Sequence, residues 1–171
     1  EEGIKNAIRI MKETGVDALK IEGGAEIADT IKGIIHAGIP VMGHLGLTPQ
    51  SIHKFGGYGL RAKTESEAKE LMDDALCLEQ VGCFGITLEK VPAQLATQVT
   101  QAVNCAIIGI GAGNGTNGQI LVYADMLGLT HEFKPKFLRQ YAHLYDTIIE
   151  AVGHYIADVK STDFPNAQES Y

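Results

Sequence analysis

Cysteine is scarce in this sequence, and its spacing fits no metal motif. The 171 residues include three cysteines, Cys77, Cys83 and Cys105, which is an odd number with no CxxC or Cys/His pattern. A disulfide framework and a structural zinc site are therefore not expected. All three lie in apolar helix or strand contexts, which predicts reduced core residues of a cytoplasmic protein.

Positive charge is also in short supply. The chain has 14 Lys and Arg against 21 Asp and Glu, a net charge of −7. Recognition of nucleic acid needs clustered basic side chains to contact the phosphates, so a nucleic-acid partner is not expected. The densest basic cluster, Lys134, Lys136 and Arg139, fits the solvated start of a helix.

Long apolar runs and low-complexity linkers are missing as well. No run approaches the roughly 18 apolar residues of a membrane span, so no membrane partner is expected. Without a linker to divide it, the sequence predicts a single domain over residues 1–171.

Helical and strand patterns alternate along the chain. An amphipathic helix ends near Gly15, and four further helices are expected at 25–37, 65–80, 92–103 and 136–160. Strands are expected at 17–22, 40–44, 83–89, 106–110 and 119–123. This order predicts an α/β fold with a parallel sheet, either an open doubly wound sheet or part of a (βα)8 barrel, which typically needs about 250 residues.

Ionisable side chains stand where three of the strands end. Lys20 and Glu22 share one strand face, His44 ends the next strand, and Glu89 ends the third. Parallel strands gather polar chemistry at their carboxyl ends, so these residues read as a site. Three structural alternatives stay open: an internal Lys20–Glu22 ion pair, a satisfied buried His44, and a Glu89 carboxylate at the start of the helix that begins at Pro92.

Two glycine-rich segments are weaker signals. Residues 113–118 spell GxGxxG, but the apolar run QILVY follows where a dinucleotide site needs a helix, so we expect a tightly packed loop near a ligand. The segment SIHKFGGYG at 51–59 mixes aromatic residues with glycines, as active-site lids do, and equally fits a loop that packs on itself or on another subunit.

Five motifs, read in chain order, resemble one enzyme family. They are LKIEGG at 19–24, GHLGLTPQS at 43–51, FGGY at 55–58, LEKVP at 88–92 and IGIGAGNGTNGQILV at 108–122. In these motifs the chain resembles the ketopantoate hydroxymethyltransferase family, and the resemblance covers nearly the whole chain.

The resemblance implies a (βα)8 barrel and a magnesium-dependent, cytoplasmic enzyme that forms a homo-oligomer, usually a decamer. Such an enzyme transfers a hydroxymethyl group from methylenetetrahydrofolate to the 2-oxo acid 3-methyl-2-oxobutanoate, a step in pantothenate and coenzyme A biosynthesis. By motif, Glu89 corresponds to the catalytic base and Glu22 to the metal-site glutamate. Lys20 and His44 correspond to substrate-binding residues.

The resemblance also implies that part of the family's barrel is not in this sequence. The family's first three strands would precede the first helix, and they carry two aspartates of the magnesium and substrate site. We therefore expect the chain to cover about the last five βα units of an incomplete barrel. A non-catalytic α/β module that binds a ligand or forms oligomers is the competing hypothesis.

Overall fold

The computed structural model of the protein describes residues 1–132 and 134–171. The described residues form two compact units, 1–120 and 121–171. The first unit contains the sheet and the helices that cover it, and the second contains two described helices. A single domain over 1–171 stays a prediction.

The described strands of the first unit form one parallel sheet. Glu22 of the first strand is in register with His44 of the second, and Gly46 of the second is in register with Glu89 of the third. Equivalent polar ends therefore meet at one edge, and the predicted α/β class is confirmed. The strands are β1 (Leu19–Glu22), β2 (Val41–Gly46), β3 (Gly85–Glu89), β4 (Ala106–Ile110) and β5 (Gly118–Gln119).

The longer helices of the first unit begin and end close to the residues that the sequence predicts. The first helix ends at Gly15, whose φ of 69° is the left-handed conformation that favours glycine at a helix end. The fourth begins with a capping box, in which Thr64 and Glu67 accept hydrogen bonds from each other's backbone N–H groups. The α-helices of this unit are α1 (Glu2–Thr14), α2 (Ala28–His36), α3 (Ile52–Phe55), α4 (Glu65–Gln80) and α5 (Ala93–Ala102).

The strands alternate between a face that packs on helices and a polar face. Ile86 and Leu88 of β3 are fully buried in the same core cluster as residues of α1, α2, α4 and α5. Thr87 and Glu89 alternate with them and so point to the opposite face. Helix α4 approaches β2 closely, since a Cβ atom at Gly43 would lie 2.7 Å from Cδ1 of Leu78. The core thus lies between the sheet and the helices, and the opposite face of the sheet carries the polar side chains.

The strand order follows the chain order from β1 to β5. A doubly wound sheet reverses direction at a switch point, whereas successive right-handed crossovers in one direction place all the connecting helices on one face. This sequential winding is that of a (βα)8 barrel. Five strands do not close a barrel, so closure stays a prediction.

The second unit departs from the sequence predictions. The predicted strand at 119–123 is wrong beyond Gln119, because Val122 caps the short helix α6 (Tyr123–Met126). The predicted helix from Lys136 begins later, as α7 (Leu144–Ser161). Leu138 instead closes a turn by donating its N–H to the Pro135 carbonyl. Among the described helices, none combines the length and apolarity needed to cross a membrane.

Candidate active site

His44 of β2 lies between the carboxylates that end β1 and β3. Its Nδ1 atom is 3.7 Å from Oε1 of Glu22, and its Nε2 atom is 3.2 Å from Oε2 of Glu89. The parallel register sets this arrangement, because Glu22 pairs directly with His44 and Glu89 lies one strand further on. Three of the four residues predicted as a site therefore converge at one sheet edge.

The imidazole of His44 is buried and lacks a well-aligned partner. His44 is only 2% exposed. The two distances fall within ion-pair range, but within the described residues neither ring nitrogen makes a hydrogen bond of acceptable geometry. Since buried polar atoms in folded proteins nearly always find a partner, these nitrogens are suited to a bound ligand.

The carboxylate of Glu22 is fixed by the loop that follows β2. Its Oε2 atom accepts a hydrogen bond of 2.9 Å from the backbone N–H of Gln50, in the 3-10 turn Pro49–Ser51. Gly23 continues the pairing by donating its N–H to the His44 carbonyl over 3.2 Å. The Glu22 side chain is 14% exposed, so one carboxylate oxygen is held while the group still reaches the open side of the site.

Glu89 is fixed through its backbone by a close approach of β2. The backbone N–H of Leu47 donates to the Glu89 carbonyl over 2.8 Å. The preceding residue, Gly46, has a φ of 87°, and a Cβ atom there would collide with the same carbonyl oxygen. Position 46 therefore needs glycine for both its conformation and its contact.

Lys20 shares the polar face but stays apart from the other three residues. It lies two residues before Glu22, pairs in register with Met42, and is exposed. No hydrogen bond or ion pair joins its side chain to Glu22, His44 or Glu89 in the part of the chain that the structure describes. The internal Lys20–Glu22 ion pair considered from the sequence does not form there.

Thr87 is a site-face residue that the sequence reading missed. It is in register with His44, is 1% exposed, and donates its Oγ1 hydrogen to the Sδ atom of Met42 over 3.4 Å. The signal was available in the sequence, because strand alternation places Thr87 on the same face as Glu89. Thr87 therefore lies beside His44 on the neighbouring strand and is joined to Met42 on the same face.

A cavity of about 430 Å³ adjoins Glu22 and His44. Lys54, Phe55 and Arg61 of the segment after β2 form one part of its wall, and acidic residues of α4 form another. Of these, Asp74 is half-buried, and burial raises the pKa of its carboxyl above the ordinary value. The predicted lid segment thus contributes to a cavity of the size that binds small molecules.

The donor atoms near this cavity are mostly carboxylate oxygens. Within the described residues, no three His, Cys, Asp or Glu side chains converge in metal-binding geometry. Mg²⁺ commonly takes only one or two protein carboxylates and keeps several waters. Glu22, with one carboxylate oxygen free of the Gln50 contact, fits as one such ligand.

The cysteines stand apart from the site and are free thiols. Cys83 is 4% exposed, and burial raises its pKa to about 11. Burial likewise raises the pKa of the Cys105 thiol. Both observations agree with the expectation of reduced core residues.

Curated relatives match the chain from end to end. It is 59% identical over 171 residues to the 3-methyl-2-oxobutanoate hydroxymethyltransferase of Flavobacterium johnsoniae, covering 100% of this chain and 63% of that protein. It is 57% identical over 170 residues to the enzyme of the same name from Bacteroides fragilis, covering 99% of this chain and 62% of that protein. The chain thus spans a little under two thirds of the length of these relatives.

Among solved structures, a dihydrodipicolinate synthase aligns with a TM-score of 0.44 and 13% identity, over 63% of this chain and 38% of that one. The family model described as ketopantoate hydroxymethyltransferase matches residues 1–167. This match covers the strand ends that carry Glu22, His44 and Glu89, and the chain belongs to the ketopantoate hydroxymethyltransferase family.

Proposed function

We propose that the protein containing this chain transfers a hydroxymethyl group from methylenetetrahydrofolate to 3-methyl-2-oxobutanoate and so makes ketopantoate for pantothenate and coenzyme A biosynthesis. The observation that carries the proposal is the convergence of Glu22, His44 and Glu89 at one sheet edge in a member of this family. The relatives are named 3-methyl-2-oxobutanoate hydroxymethyltransferases, which supports this choice of substrate.

In this proposal Glu89 is the catalytic base. It removes the C3 proton of the 2-oxo acid, and the electron pair of that C–H bond becomes the enolate. Water adds to the methylene carbon of the folate and both of its C–N bonds break, which releases tetrahydrofolate and leaves formaldehyde. C3 of the enolate then attacks the formaldehyde carbon, and the resulting alkoxide takes up the proton that Glu89 removed and becomes the new hydroxyl group. The Glu89 side chain is 18% exposed, so it reaches the site while being largely removed from solvent. A general base has to lie within hydrogen-bond reach of the proton that it removes, and a carboxylate at the edge of the site meets that requirement.

His44 and Lys20 bind the substrate in this scheme. A buried imidazole with unaligned nitrogens is a ready partner for a substrate oxygen, and its position beside Glu89 would hold that oxygen near the base. The ammonium group of Lys20, exposed on the same sheet face, would bind the substrate carboxylate.

Glu22 would hold Mg²⁺ with Oε1, the carboxylate oxygen that does not accept from Gln50 and that faces His44, leaving other positions for water and substrate. When bound, the ion supplies Lewis-acid stabilisation of the negative charge that develops on the substrate's 2-oxo group. The Gln50 N–H fixes the orientation of the Glu22 carboxylate before any ligand arrives.

The test separates proton removal from hydroxymethyl transfer. In the full-length protein encoded with this chain, Glu89→Gln should abolish exchange of the C3 proton of 3-methyl-2-oxobutanoate with deuterated water, followed by NMR without folate. Glu13→Gln, an exposed carboxylate on α1, is the matched control. An exchange rate equal to wild type in Glu89→Gln would reject Glu89 as the base.

The same proposal extends to assembly and location. We infer a closed (βα)8 barrel in the full-length protein, a homo-oligomer that the resemblance makes a decamer, and a cytoplasmic location. Sedimentation of the full-length protein tests the oligomer. A second test supplies the family's N-terminal segment to this chain as a separate polypeptide. Restored hydroxymethyl transfer would exclude the non-catalytic module.

A further inference from the structure

Lys90, the residue after Glu89, contacts the loop between α3 and α4 at two points. Its Nζ group donates a hydrogen bond to the Tyr58 carbonyl, and its own carbonyl accepts a 2.8 Å hydrogen bond from the backbone N–H of Arg61. Its backbone N–H donates to the Ile110 carbonyl over 2.9 Å. Lys90 thus ties the loop to the ends of β3 and β4.

The loop has little else to hold it between these two points. Tyr58 is 65% exposed, and Gly59 and Leu60 are also exposed. Within the described residues, the two contacts with Lys90 are the hydrogen bonds made by the 58–61 backbone. An exposed glycine-containing segment has a large conformational entropy to lose, and these two contacts restrict its backbone.

The loop position decides where Arg61 lies. The guanidinium carbon of Arg61 is 4.1 Å from the centroid of the Phe55 ring, and a guanidinium nitrogen is 3.7 Å from Oε1 of Glu67. Arg61, Phe55 and Glu67 all line the cavity beside Glu22 and His44. The hydrogen bond between the Arg61 N–H and the Lys90 carbonyl therefore positions a residue that lines the cavity.

The backbone of Lys90 adopts a conformation that is unusual for a residue with a side chain. Its φ is 47°, in the left-handed region that favours glycine. Such a conformation persists where surrounding contacts determine it, and here the Arg61 and Ile110 hydrogen bonds do so. Lys90 is also half-buried, which strengthens a hydrogen bond from its charged group.

We propose that Lys90 is a positioning residue that clasps segment 58–61 to the ends of β3 and β4, and so holds Arg61 in the wall of the cavity beside Glu22 and His44. The contribution to substrate binding rests on the proposed function. The clasp itself does not, because it is a property of the folded chain.

The test compares three substitutions in the full-length protein. Lys90→Met keeps the aliphatic stem without the donor, Lys90→Arg keeps a charged donor, and Lys90→Gly suits the left-handed backbone while removing the side chain. Lys63→Met, an exposed lysine nearby, is the matched control. The measurements are amide hydrogen exchange of residues 57–61 and the KM and kcat for each substrate.

We expect exchange in segment 57–61 to be about tenfold faster in Lys90→Met and Lys90→Gly, with Lys90→Arg close to wild type. We expect KM for at least one substrate to rise about fivefold while kcat for C3-proton exchange is kept. Unchanged amide exchange in both Lys90→Met and Lys90→Gly would overturn the clasp. Faster exchange with both KM values unchanged would overturn its role in binding.

The outcomes separate this inference from the proposed function. If the wild-type protein neither exchanges the C3 proton nor transfers a hydroxymethyl group, the proposed function and the role of the clasp in substrate binding fail together. Amide exchange then still decides whether Lys90 holds the loop. Loss of protection throughout β3 and β4 in Lys90→Met but not in Lys90→Gly identifies a backbone effect, and the Lys90→Gly result then decides.

Discussion

The Nε2 atom of His44 lies 3.2 Å from the Oε2 atom of Glu89, with the Glu22 carboxylate on the other side of the imidazole ring. The buried imidazole thus separates two carboxylates and turns one ring nitrogen toward each of them. The ring is therefore expected to matter for the site as well as for packing.

The first prediction concerns this ring. His44→Gln should slow C3-proton exchange of 3-methyl-2-oxobutanoate by about 100-fold, because the base and the substrate oxygen lose their common neighbour. NMR in deuterated water measures the rate. The control is His36→Gln, at an exposed histidine at the end of α2. This variant should catalyse C3-proton exchange at the wild-type rate. An equal rate in the two variants would remove His44 from the site.

The second prediction concerns the contact between Gly46 and Glu89. Gly46→Ala should lower the free energy of unfolding by about 3 kcal/mol, because a methyl group is added to a left-handed residue and also collides with the Glu89 carbonyl. Urea unfolding followed by circular dichroism measures the change.

Gly38 provides the control for this effect. Its φ of 85° is nearly that of Gly46, but nothing lies within 4 Å of a Cβ atom built there. Gly38→Ala should therefore cost only the conformational part, about 1 kcal/mol. Equal losses in the two variants would show that the Glu89 carbonyl moves aside freely.

The third prediction concerns the capping box of α4. Thr64→Ala should lower the free energy of unfolding by about 1 kcal/mol at pH 7, whereas Thr64→Ser should restore most of it because the hydroxyl acceptor returns. Urea unfolding of the three proteins tests this. A Thr64→Ser variant as unstable as Thr64→Ala would contradict the capping role.

The capping box also predicts a dependence on pH. Hydrogen bonds from the backbone N–H groups of Thr64 and Lys63 lower the pKa of the Glu67 carboxyl from its ordinary value of 4.5. A carboxyl with a lowered folded-state pKa stabilises the protein above the unfolded value, and this is lost as the pH falls through the folded value. The stability difference between wild type and Glu67→Gln should therefore shrink below about pH 4.5. A constant difference from pH 7 to pH 3 would refute it.

The fourth prediction concerns Cys83. With a pKa of about 11, about one Cys83 thiol in a thousand is ionised at pH 8, and the thiolate is the reactive form. Iodoacetamide should therefore leave Cys83 unmodified in the folded protein and alkylate it in guanidinium chloride, as peptide mass spectrometry would show. Rapid alkylation of Cys83 without denaturant would mean that its strand opens readily.

Local signals were sufficient to predict much of the first unit. The bounds of α4 follow from the Thr64 capping box, and the end of α1 follows from Gly15, because both depend on residues adjacent in the chain. The meeting of Glu22, His44 and Glu89 followed from a single rule, that the carboxyl ends of parallel strands share an edge. Neither distance to the His44 ring could be predicted, since each depends on how the side chains turn.

Other features depended on tertiary contacts that periodicity does not contain. The apolar run at 119–123 read as a strand, but short apolar runs do not distinguish a strand from other structures, and Ile120 and Val122 are in fact exposed. The exposure of Lys20, two residues from a largely buried glutamate, was likewise not predictable from alternation alone. The contacts of Lys90 with the 58–61 loop join segments far apart in the sequence and leave no local signal.

The register of β2 makes the site sensitive to a change of chain length as well as of residue type. His44 faces the carboxylates, and its neighbours Gly43 and Leu45 face the helices. Because strand side chains alternate with a period of two, one residue inserted before His44 in β2 would turn the imidazole into the core and place an apolar side chain between Glu22 and Glu89. A deletion of one residue would have the same effect. We therefore expect β2 to tolerate substitution of its apolar residues better than a one-residue shift of its register.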